Sequence, residues 1–193
     1  MRLGGKENGM VKNTGIFTPL RLPVATSVLA IVLLFCGCKK EDNGPGFDMM
    51  FQQEFTIPAG IGGVSTHHFY LKNLSTRYEA LLNQYGKSDA EIAHIITARA
   101  AITGIFGDAD FSIVEEATLR VYQETDPNGF IEVAYRFPTP IDPNNTLDLI
   151  PGLADSKRIM SDSRFSIDLA LRLRNTTPDE IPTRLSLQLK AVY

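Results

Sequence analysis

The sequence predicts a mainly β fold, an antiparallel β-sandwich of about seven strands with one or two short helices. Three observations carry this. Phe165, Ile167, Leu169, Leu171 and Leu173 are apolar at every second position, and Leu185, Leu187, Leu189, Ala191 and Tyr193 repeat the pattern; this is the period of a strand with one buried face. Asp126-Pro127-Asn128-Gly129 is strong turn chemistry between two patterned runs. One-faced strands must bury their apolar side against another layer, so many such strands with few helices imply two packed sheets.

The first predicted strand covers residues 50–57. Phe51, Gln53, Phe55 and Ile57 share one side, with Gln52, Glu54 and Thr56 on the other. Pro58, Gly60, Gly62 and Gly63 end it. The spacing of Leu74, Tyr78, Leu81, Leu82 and Tyr85 predicts a helix over 74–85. Thr76 and Glu79 stand in capping-box relation, and Gly86 is its stop. Such a helix lies across the sandwich or covers one open end. Ser88-Asp89-Ala90-Glu91 predicts a second capped turn.

A strand over 95–105 follows, with Ile96, Ala98, Ala100 and Ile102 opposite Thr97, Arg99, Ala101 and Thr103. Residues 108–114 read as a short turn. In 115–125, Ala117, Leu119 and Val121 oppose Thr118, Arg120 and Tyr122, and the run should pair with 131–137 as a β-hairpin. After a loop rich in Pro and Asn come a short strand at 147–150 and a short helix or turn at 153–160. In the first of the last two strands Ser166, Asp168, Arg172 and Arg174 should face water. The turn at 175–182 should join those two strands as a second hairpin.

The N-terminal region is patterned differently. Arg2, Lys6, Lys12 and Arg21 are opposed only by Glu7, and an apolar run from Pro23 to Phe35 follows. That run is shorter than the roughly 20 residues of a spanning helix. Gly37-Cys38 closes it, and Lys39-Lys40-Glu41-Asp42 follows at once. This arrangement resembles the signal peptide and lipobox of a bacterial lipoprotein precursor. The resemblance implies that Cys38, preceded by the small Gly37, is lipidated on sulfur and becomes the mature N-terminus. Phe35 and Cys36 depart from the commonest lipobox residues. Lys39, Lys40, Glu41 and Asp42 are similar to the surface-export signal of Bacteroidota-type lipoproteins, and they imply an outer-membrane protein that faces outward; an inward-facing lipoprotein is the alternative. The expected organisation is a signal peptide at 1–37, a lipidated cysteine and tether at 38–48, and a single sandwich-like domain at 49–193. The membrane, through the anchor on Cys38, and an envelope protein are the expected partners.

Four of the 19 basic and one of the 22 acidic residues lie in 1–37, leaving 15 against 21 and a mature charge of −6. That acidity argues against nucleic acid, which requires clustered Lys and Arg. A mature chain of this size buries enough surface to fold without a staple. Both cysteines fall in the N-terminal region, so the domain can hold no disulfide and no thiolate site.

Few residues suggest chemistry. His67 and His68 are adjacent, so on a strand they point to opposite faces and do not share a metal. Asp108, Asp110, Glu115 and Glu116 form an acidic group near Gly104 and Gly107 that lacks an EF-hand pattern and reads as a solvated loop. No Gly-x-Ser-x-Gly elbow or glycine-rich phosphate loop occurs. No cofactor, metal or catalytic residue is therefore expected. Sugar platforms use exposed aromatics, and the chain has no Trp; Tyr122 and Tyr135 lie on paired strands, with core packing their expected use. The function expected is that of a non-enzymatic binding or accessory module at the outer membrane. The alternatives are a structural subunit assembling through a free sheet edge, a glycan-binding protein, or an enzyme.

Overall fold

The computed structural model describes residues 45–107, 109–142 and 144–193. Cys38 and Lys39 to Asp42, the expected lipidation and export residues, lie outside them. Among the described residues no helix is long and apolar enough to cross a membrane.

Eight strands form the domain: β1 (Gly46–Ile57), β2 (Thr66–Ser75), β3 (His94–Gly104), β4 (Val114–Gln123), β5 (Asp126–Arg136), β6 (Thr146–Pro151), β7 (Arg164–Leu173) and β8 (Ile181–Val192). Two short helices, α1 (Tyr78–Tyr85) and α2 (Lys157–Met160), complete it. The strand order is β1-β8-β3-β6-β5-β4-β7-β2, antiparallel throughout. It divides into two four-stranded layers, β1-β8-β3-β6 and β5-β4-β7-β2, linked only where Ala134 and Tyr135 pair with Pro151 and Ile150. Apart from the β4–β5 hairpin, successive strands change layer. This is the strand order of a jelly roll, a sandwich of eight strands in two Greek keys.

Alternation builds the core as the sequence predicts. The inner faces carry Leu119, Val121, Ile167, Leu169 and Leu171 from one layer and Ile102, Leu185, Leu187 and Leu189 from the other, each at most 1% exposed. Each such side chain contributes roughly 1.5–3 kcal/mol on burial. Where β1 and β2 end their layers, Phe51 meets Phe165 edge-on with centroids 4.8 Å apart, and Phe55 meets Phe69 at 5.1 Å.

Several expectations need correction. Among the described residues there are eight strands, and the additional one is β2, which takes Leu74 from the expected helix. α1 starts only at Tyr78, behind Arg77 at φ 54°. Thr76 does not form the expected capping box: it donates to the Asp162 carbonyl and accepts from the Tyr78 N–H. Gly86, at φ 62°, ends α1 in the left-handed conformation expected of a glycine stop. β1 begins at Gly46 and so takes in residues 46–48 of the expected tether. In β3 the register shifts between Thr97 and Arg99. The shift turns Ile95 and Thr97 inward in place of Ile96 and Ala98, because one extra residue exchanges the faces of a strand. The β4–β5 hairpin closes at residues 124–125. Asp126-Pro127-Asn128-Gly129 bulges beside it, with the Asp126 carboxylate accepting from the Gly129 N–H at 3.1 Å.

The largest correction concerns the last two strands. β7 pairs with β2 and β4, whereas β8 pairs with β1 and β3. Residues 175–182 therefore cross between layers and do not close a hairpin. Arg174, expected in water, is half-buried and donates to the carbonyls of Ser112 and Thr139 at 2.6 and 2.8 Å.

Candidate functional site

The outer face of the β2-β7-β4-β5 layer is the most distinctive surface of the domain. Registry places Tyr70, Asp168, Arg120 and Glu132 in one row across the four strands. His68, Ala170, Thr118 and Tyr135 form the next row, and Ser166 and Tyr122 pair in a third. The inner strand β7 offers Ser166, Asp168 and Ala170 along the middle of this face, and these are 0, 9 and 6% exposed; Arg172 follows at the end of the second hollow. Longer side chains rise on either side: His68, Tyr70 and Lys72 on β2, and Phe130 and Tyr135 on β5. A floor of small residues between tall walls makes a trough. It contains two adjoining hollows of about 430 and 210 Å³ that share His68 and Arg120.

Ser166 and Asp168, expected to face water, thus lie on the predicted face but are buried by their neighbours. Burying a carboxylate is costly unless it is paired. Asp168 meets that condition: it accepts from His68 Nδ1 at 2.9 Å, and Arg120 Nη1 stands 4.0 Å from its other oxygen. The Arg120 guanidinium lies 4.6 Å from the Phe130 ring centroid, a cation–π contact. At the far end, Glu124 accepts from Ser166 Oγ at 2.6 Å and faces Lys72 Nζ at 3.8 Å. Burial pushes the Tyr122 phenol up, and the Glu124 carboxylate adds to it. The His68 and Tyr70 rings run nearly parallel, 12° apart with centroids at 5.8 Å. Tyr70 is 55% exposed and Phe130 48%.

The other residues singled out from the sequence do not converge. His67 points away from His68 and hydrogen-bonds the Gly62 carbonyl through Nε2 at 2.7 Å. His94 pairs with Asp155 at 2.8 Å. Asp110 accepts from the Ser112 backbone N–H, which together with the Ser112 hydroxyl outweighs the effect of burial and holds its carboxyl below the usual range. Glu115 and Glu116 turn to Arg172, at 3.1 and 3.2 Å. Among the described residues no group of three His, Cys, Asp or Glu is placed to hold a metal. Tyr122 and Tyr135 do share the outer face; neither belongs to the inter-sheet core.

A 230 Å³ hollow at a loop end, lined by Phe106, Ile113, Pro178 and Pro182 among others, brings fewer polar groups together. The outer face of the opposite layer holds a shallow 350 Å³ depression whose large exposed apolar residue is Met50. Neither combines aromatic walls with a buried ion pair.

Tyr70, Lys72, Glu124 and Phe130 are not among the residues that the sequence picks out, and Asp168 is there only as a side chain facing water. His68, Tyr70 and Lys72 alternate with His67, Phe69 and Leu71, and that pattern was the available signal for β2 and its polar face.

No family model matches the chain, and no curated protein matches it. Among solved structures it is similar to one titled Desmodium yellow mottle tymovirus, at 12% identity over 77% of this chain and 89% of that one, with a TM-score of 0.23. It is also similar to a structure of Cocksfoot mottle virus, at 8% identity over 96% and 95% of the two chains, with a TM-score of 0.26. Likeness this slight transfers no activity, and the jelly-roll assignment rests on the strand order alone.

Proposed function

We propose that this chain is a lipid-anchored module of the bacterial outer membrane that binds a ligand and performs no catalysis, with the β2-β7-β4-β5 face as its binding surface. The trough carries the reading: it is concave, of ligand size, and combines aromatic surface with a few convergent polar groups, as binding sites do. Its carboxylates are each engaged, Asp168 by His68 and Arg120 and Glu124 by Ser166 and Lys72. That favours recognition over acid–base work. Gly37, Cys38 and the charged run behind them support the anchor.

A photo-crosslinking phenylalanine analogue placed at residue 70 in living cells tests the reading. It should trap an envelope component that the same analogue at residue 50, on the opposite layer, does not. Equal trapping at both positions, or none at 70, overturns it.

A second reading draws on β1. Among the described residues this strand runs from Gly46 to Ile57 without a bulge and ends its layer, paired only with β8. Such an edge can add a strand from a neighbour. In that reading the chain is a structural subunit, and it self-associates through β1.

A further inference from the structure

We infer that the trough on the β2-β7-β4-β5 face is a binding site for a neutral oligosaccharide, with Tyr70 and Phe130 as its stacking faces and Asp168, Glu124 and Arg120 as its hydroxyl partners. This rests on the reading of the chain as a binding module and names the ligand class.

Charge excludes ionic ligands first. The lysine and the arginine lining the larger hollow each face a carboxylate already: Arg120 at Asp168, which His68 also engages, and Lys72 at Glu124. An anion would have to displace one of these carboxylates, and a cation would meet Lys72 and Arg120. The site therefore offers many polar atoms and no surplus charge. An acyl chain is equally unsuited, because covering Asp168, Arg120 and Glu124 with hydrocarbon removes their access to water without replacing it.

A peptide fits less well than a sugar for a topological reason. β7 is paired on both sides, with β2 and β4, and β4 is paired with β7 and β5. Their backbone groups are consumed in the ladders, so an extended peptide on this face finds no main-chain partners. Over the floor of the trough only side chains are available to a ligand. Sugar hydroxyls both donate and accept, so they match a floor that mixes carboxylate with guanidinium. The C–H faces of a pyranose are apolar and weakly positive, which suits the negative faces of aromatic rings. Tyr70 and Phe130 stand on opposite walls, half exposed, with the polar floor between them; the His68 ring and the Lys72 ammonium already lie against Tyr70 and the Arg120 guanidinium against one face of Phe130, so a sugar stacks on the ring surface that these leave open. The second hollow continues past His68 toward Thr118 and Arg172, which gives room for more than one sugar unit.

The purified full chain in detergent is titrated calorimetrically with maltohexaose, cellohexaose, xylohexaose, mannohexaose and chitohexaose, and with polygalacturonate and heparin as charged controls. At least one neutral hexasaccharide should bind. Tyr70→Ala and Phe130→Ala should each weaken that binding about tenfold, the loss of one stacking contact. Both residues are half exposed, so both variants should melt as wild type does, and Met50→Ala should bind normally. The inference falls if no neutral sugar binds, if only the charged polymers bind, or if both trough variants bind as wild type. Crosslinking at residue 70 without any neutral-sugar binding would leave the binding-module reading standing and overturn the ligand class alone.

Discussion

Asp168 on β7 and His68 on β2 meet across a strand pair, Nδ1 to Oδ1 at 2.9 Å, although 100 residues separate them in the chain. The whole side chain of Asp168 is 12% exposed and that of His68 36%. Because water reaches the histidine, the pair is screened and adds little to folding. A double-mutant cycle of His68→Ala and Asp168→Asn should give a coupling of about 0.2–1 kcal/mol in urea unfolding. A coupling above about 3 kcal/mol would mean that the pair holds the sheets together and does not merely shape the trough.

The core should behave very differently. Leu171 is fully buried between the layers, whereas Met50 is 69% exposed. Leu171→Ala should cost about 2–5 kcal/mol, and Met50→Ala should change stability by less than about 0.5 kcal/mol. Urea melts decide between this and an error in the face assignment, which equal losses would indicate.

Acid should destabilise the domain through a small set of carboxylates. The Ser88 backbone N–H, with Lys87 and the Ser88 hydroxyl, lowers Glu91 from its ordinary 4.5 to about 2. Burial pushes the Asp155 carboxyl up, but hydrogen bonds from His94, Ile95 and Lys157 outweigh it and hold the group below its ordinary 3.8. A folded-state pKa that is depressed means that the unfolded chain takes up its proton first. The stabilisation is therefore complete above the ordinary value and is lost as pH falls through the folded value. The melting temperature should drop between pH 4.5 and about 2. Asp155→Asn should be less stable than wild type at neutral pH and converge on it in acid. A constant difference across the range would refute the linkage.

The anchor is tested by labelling. Cys38→Ser should abolish incorporation of labelled palmitate, and Cys36→Ser should not; two or more acyl chains are needed for stable attachment. Replacing Lys39, Lys40, Glu41 and Asp42 with alanine should preserve labelling but protect the protein from protease added to intact cells. Wild-type protein that resists the protease while a surface control is cleaved would refute outward display.

Alternation alone established which residues of β1, β4, β7 and β8 share a face, because side-chain direction in a strand has period two and depends on no other part of the chain. It could not reveal the extra residue in β3, where Thr97 took the inward place expected for Ile96. A bulge leaves no mark on the apolar pattern of a strand that carries apolar residues on both faces. Nor could it say which strands pair. The turn at 175–182 reads as a hairpin from its composition, and only the packing of two layers sends β8 to β1 and β3.

The candidate site divides along the same line. Strand alternation puts Ser166, Asp168 and Ala170 on the face opposite Ile167 and Leu169, and this is legible in the chain. That they form a buried floor follows from packing, since their exposure depends on the length of side chains that β2 and β5 place on either side. The difference is one of range. The direction of a side chain is set by its own backbone, whereas its burial and its ion-pair partners are set by residues about a hundred positions distant that the strand order brings within 3 Å.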